Sequence, residues 1–117
     1  MKNFKELKIW QKGMDIAVQS YQLTNTFPSA EKYSISAQIN RAGVSIPSNI
    51  AEGSSRSSEK DYGRFIEIAL GSCFELETQL LIAQRLQFAD STQLSNLLNE
   101  VSEEEKMLNG FLKSLFR

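Results

Sequence analysis

The sequence predicts an all-α chain folded as an antiparallel up-down-up-down four-helix bundle with a left-handed twist. Three observations carry this. Apolar residues recur every three to four positions along four segments of roughly 20 residues each. Short clusters of turn-forming residues separate those segments. No stretch alternates apolar and polar residues as a half-buried strand would, and no long-period repeat runs through the chain. The 117 residues, 41% hydrophobic and with two prolines, suit a single ordered domain over 1–117.

The first helix is expected over 5–25. Leu7, Trp10, Met14, Ala17, Tyr21 and Thr24 follow a three-four spacing, and Ile9, Ile16 and Leu23 add a flanking line. Lys5, Lys8 and Lys12 fall on one stripe, either a soluble face or a phosphate-contacting edge. Thr26-Phe27-Pro28-Ser29 breaks the helix: Pro28 biases Phe27 away from helical angles, and Ser29 is placed to cap the second helix.

That second helix is expected over 30–52, and it carries two stripes. Ile35, Ile39, Ala42, Ile46 and Ile50 form an apolar face. Gln38, Arg41, Ser45, Ser48 and Glu52 repeat with the same spacing roughly 120° away. An ordinary solvated face would be rich in Lys and Glu. This one is small and mostly uncharged, and together with Asn49 it suits close approach by another helix or subunit, with hydrogen bonds fixing register. Arg41 and Glu52 lie about 16 Å apart along the helix at ~1.5 Å per residue, so they cannot touch within one chain but could pair between subunits. Pro47 deprives the Gly43 carbonyl of its helical partner, so a bend is expected there, and Gly53 offers a stop.

The third helix is expected over 58–86, opened by Ser58-Glu59-Lys60-Asp61 as an acidic capping box. Tyr62, Ile66, Ala69, Cys73, Leu76, Leu80 and Ala83 form an unbroken apolar series, widened by Phe74, Leu81 and Phe88. The fourth is expected over 92–114, capped by Asp90 or Ser91. Leu94, Leu98, Val101, Leu108, Leu112 and Leu115 keep the heptad, with Glu105 where an apolar residue would fit, and Glu103, Glu104 and Glu105 read as a partly exposed acidic patch.

Composition excludes much chemistry. The chain has no histidine, which removes the commonest general base and metal ligand. Its single cysteine, Cys73, builds neither a disulfide framework nor a zinc site, and its place in the apolar series makes it an inert core thiol. Ser57-Ser58-Glu59-Lys60 matches S-x-x-K, but the partner S-D-N and K-T-G elements are missing, and the same residues explain themselves as a helix cap. No catalytic residue, metal ligand or cofactor site is therefore expected. No segment reads as a leader or a membrane span, so a cytoplasmic location is expected. Net charge is −1, yet residues 1–64 hold nine Lys/Arg against six Asp/Glu, and residues 65–117 hold four against eight.

Several runs carry a resemblance. Phe4-Lys5-Glu6-Leu7 with Trp10-Gln11, Phe27-Pro28, Glu31-Lys32-Tyr33, Gln38-Ile39 with Arg41-Ala42, Val44 to Gly53, and Gly71-Ser72 with Glu75-Leu76-Glu77 resemble the four-helix proteins encoded within bacterial 23S rRNA intervening sequences, also called S23-type proteins. The likeness extends from Phe4 to about Leu86, and Ser45 to Gly53 is its most specific part. It implies a four-helix bundle assembling as a ring-shaped homopentamer, with no enzymatic activity to transfer. It also implies kinship with the accessory protein of diversity-generating retroelements, which binds nucleic acid and a reverse transcriptase. That accessory protein is markedly basic, whereas this chain is not.

Two functional expectations result. The first is a non-enzymatic homo-oligomer contacting RNA or an RNA–protein complex, with Lys5, Lys8, Lys12, Arg56, Lys60 and Arg64 as phosphate contacts and Gln38, Arg41, Ser45, Ser48, Asn49 and Glu52 as the subunit interface. The second is a protein-interaction scaffold with no nucleic-acid binding, its partner a protein such as a polymerase. An enzyme using Ser, Arg and Glu at a subunit junction is a distant third.

Overall fold

Among the described residues, side-chain oxygens cap the start of three of the four long helices, and the first begins after Leu7 without one. The structure, a computed structural model, describes residues 3–116. The Asn3 side chain accepts from the Lys5 N–H and starts a single 3₁₀ turn, Phe4–Glu6. The helices are α1 (Lys8–Thr24), α2 (Ile35–Ser54), α3 (Glu59–Arg85) and α4 (Ser91–Leu115). Ser58 Oγ accepts from the Asp61 N–H at 3.1 Å, and the Asp90 carboxylate accepts from the Gln93 N–H at 3.1 Å. Both satisfy donors that a helix start leaves open.

The second helix departs from expectation at both ends. Residues Ser29–Glu31 close only a 3₁₀ turn, and α2 starts at Ile35 with Ser34, not Ser29, at its cap. Ser34 Oγ accepts from the Ile35 N–H and donates to Glu31 at 2.8 Å. Nor is Gly53 the stop, because α2 continues to Ser54. A Cβ on Gly53 would stand 2.8 Å from the Phe65 Cβ, so this glycine serves the approach of α3. Pro47 sits inside an unbroken helix.

Cross-contacts order the bundle. Thr24 Oγ1 donates to Asn40 Oδ1, Gly13 lies against Ile46 and Pro47, and Ser45 meets Ser72. The Tyr62 and Phe111 rings meet edge to face, and Lys12 pairs with Glu100. Residue numbers rise on one helix as they fall on the next, so each neighbour runs antiparallel. Among the described residues, α1 and α3 each pack on both α2 and α4. The particle measures 44 × 22 × 20 Å.

The core line of α1 is Ile9, Ile16 and Leu23, with Gly13 and Ser20 between them. The expected primary face is partly wrong, because Met14 and Tyr21 stand 40% and 50% exposed. α2 presses on the small residues Gly13 and Ser20, which a search for apolar side chains skips. On α3 the expected series is buried as far as Ala83, with Tyr62 partly so, but Phe74 and Leu81 point to solvent. On α4, Leu97 and Glu104 hold core positions beside Leu94, Val101 and Leu108.

Candidate nucleic-acid interface

The up-down course brings the start of α1, the end of α2 and the start of α3 to one end of the bundle. Lys5, Lys8, Arg56, Lys60 and Arg64 gather there, all exposed. Arg56 Nη2 donates to Glu52 Oε2 at 2.9 Å, and its guanidinium lies 4.5 Å from the Phe65 ring centroid. A planar cation held on both sides is oriented before any ligand arrives. Glu59 and Asp61 share this end in the first turn of α3, where the helix dipole favours acids.

Lys12 leaves the candidate set. It is bonded to Glu100 and, at 2.9 Å, to Glu103 where α4 crosses α1. Burial acts against its charge, but the two carboxylates outweigh it and raise its pKa. The same contact lowers that of Glu103, chiefly through the hydrogen bond from Lys12. A cation satisfied in this way has little left for phosphate.

The polar stripe of α2 divides. Ser45 Oγ lies 2.8 Å from Ser72 Oγ, and Asn49 Nδ2 donates to the Ser45 carbonyl at 2.8 Å and to its Oγ at 2.9 Å. Ser45 ties α2 to α3 within one chain, where the stripe predicts contact with another copy, and Asn49 bonds back to Ser45 along α2. Gln38, Arg41, Ser48 and Glu52 remain exposed. Glu52 already has a partner in Arg56, four residues on, so the expected pairing with Arg41 of another copy would have to displace it.

Two features have no signal in the sequence pattern. Glu104 is fully buried, and neither carboxyl oxygen has a hydrogen-bond partner. A Cβ on Gly13 would stand 3.2 Å from Glu104 Oε2, so the missing side chain of α1 makes the room that the α4 carboxyl fills. Burial pushes the Glu104 pKa up to about 8, against a weaker downward pull from Lys12. Beside it, burial and the neighbouring Glu77 raise that of Glu105. The second feature is a groove at the opposite end of the bundle, between the end of α1 and the start of α2. No periodicity in the sequence announces it.

Burial, reinforced by Glu104, Glu105 and Glu77, raises the Cys73 pKa far above that of a free thiol. In the S-x-x-K run, Ser58 serves as the α3 cap. Among the described residues no group of three or more His, Cys, Asp or Glu is placed to hold a metal, and no helix is long and apolar enough to cross a membrane.

A family model described as 23S rRNA-intervening sequence protein matches residues 5–110. The chain belongs to that family. The match takes in α1, α2, α3 and most of α4, whose sequence alone carries little signature. The chain is also similar to the crystal structure of a protein with unknown function from the S23 ribosomal protein family of Bacteroides thetaiotaomicron VPI-5482. The two share 28% identity and a TM-score of 0.84, over 90% of this chain and 98% of that one. A comparison with curated proteins finds no match.

Proposed function

We propose that this protein is a non-enzymatic, homo-oligomeric helical module that contacts RNA or an RNA–protein complex through its basic end. The observation that carries the reading is the convergence of Lys5, Lys8, Arg56, Lys60 and Arg64 from three helix termini onto one end of a chain whose net charge is only −1. One such patch is weak. Copies in a ring, a pentamer as the family resemblance implies, would repeat it around a rim and bind by avidity. The outer face of α3 supports self-association, because Ile68, Phe74, Leu81 and Ile82 leave 43–51% of their surface open.

Structured RNA binding measured against salt tests this. Affinity should fall steeply as salt rises, and Lys60→Gln with Arg64→Gln should flatten the slope by about 2. Absence of binding at low salt defeats the reading. The same α3 face favours a second reading, a protein-interaction scaffold that uses no nucleic acid. Co-purification from the native host separates the two: partners lost on nuclease treatment support RNA contact, and partners retained support the scaffold.

A further inference from the structure

The groove between the end of α1 and the start of α2 has a volume of about 840 Å³, within the range of small-ligand sites, roughly 300–1,000 Å³. Its chemistry is specific. Lys32 and Arg41 line it, and no acidic residue does among the described residues. Glu31, the nearest acid in sequence, accepts a hydrogen bond from Ser34. Tyr21 and Tyr33 supply aromatic walls, and Tyr33 is 87% exposed. Lys32 Nζ lies 5.5 Å from the Tyr33 ring centroid, which steadies one face of the ring.

Two polar groups complete the wall. Thr24 Oγ1 holds Asn40 by its Oδ1 at 3.0 Å, so the amide NH₂ is the end turned away from Thr24. Ser36 is 6% exposed, and its hydroxyl is buried without a partner. It lies beneath the groove surface, out of reach of a ligand. Exposed aromatic rings, two cations and an amide around one groove match the parts of a nucleotide: a flat base, a polar edge and a phosphate.

We propose that this groove receives one unpaired nucleotide of an RNA strand, with the base stacked on Tyr33, its edge read by Asn40, and the phosphate between Lys32 and Arg41. The assignment rests on the RNA-contacting reading above and adds a site at the other end of the bundle.

The test uses the full chain and three probes: a fluorescein-labelled oligouridylate, a duplex RNA of equal length, and uridine monophosphate followed by NMR. The single strand should bind tighter than the duplex. Tyr33→Ala should weaken it about tenfold, while Tyr33→Phe should retain it. Lys32→Gln and Arg41→Gln should each lower the salt slope by about 1. Helix content and melting temperature of these surface variants should match the parent. If the groove variants bind like the parent while Lys60→Gln weakens binding, the groove assignment falls and the RNA reading stands. If no RNA binds at low salt, both fall. Duplex preference, or groove shifts with uridine monophosphate but no strand binding, overturns the strand as occupant.

Discussion

The waist of the bundle and its two ends obey opposite rules. At the waist the helices meet through small residues: Gly13 against Pro47, Gly43 against Ser20, and Ser45 against Ser72. A carboxyl without a partner, Glu104, is locked among them. At the ends, aromatic pairs close the core, Phe27 with Phe88 and Tyr62 with Phe111, and cations stand in water around them. The waist therefore concentrates the terms that decide stability, and the ends hold the groups that can meet a ligand. Three consecutive glutamates show how steep the change is. Glu103 pairs with Lys12, Glu104 is sealed in the core, and Glu105 lies against Glu77.

The sharpest way to break this comparison is pH. Glu104 ionises near its ordinary value of 4.5 when unfolded and near 8 when folded. Between those values, unfolding releases a proton. Its contribution to stability is therefore complete below about pH 4 and is lost as the pH rises toward 8. Denaturant unfolding should show a decline of up to about 1.4 kcal/mol per pH unit from this group, with Glu105 adding to it. Glu104→Gln should remove its own share of the slope and leave that of Glu105, and a slope unchanged by that substitution would show that Glu104 is not protonated in the fold.

Gly43→Val comes next. Even its Cβ would lie 2.8 Å from Ser20 Oγ, so α1 and α2 must part, at about 1–3 kcal/mol by chemical denaturation. Adding Ser20→Gly to Gly43→Val should recover part of that loss, and its failure would place the strain elsewhere. Ser45→Ala should cost about 1 kcal/mol, and a double-mutant cycle with Ser72→Ala should show the two effects to be coupled. A larger loss of assembly than of monomer stability would return Ser45 to the subunit interface. Smallest is the effect of Lys60→Gln or Arg64→Gln, within about 0.5 kcal/mol on stability, while RNA binding weakens. A large loss of stability from either would erase the distinction between waist and end.

Much of this is legible in the residues. The heptad series on α3 from Ile66 to Ala83, the caps Ser58 and Asp90, and the inert Cys73 all come from local spacing and capping chemistry. The α1 face is harder to read because its true core line runs through Gly13 and Ser20, and small residues leave no hydrophobic signal. The site is less legible still. Lys12 looks like Lys5 and Lys8 in the sequence, and only the crossing of α4 assigns it to Glu100 and Glu103.

By itself the sequence determined four helices, their antiparallel order and the family, because helix periodicity, caps and turn residues are local properties that survive without tertiary contacts. Tertiary structure alone decided which of three adjacent glutamates is buried, that Ser45 belongs to the α2–α3 seam, and that a groove opens beside Tyr33. Each of these depends on how far one helix slides and rotates against the next. That register is set by the sum of all packing contacts and is written in no single stretch of the chain.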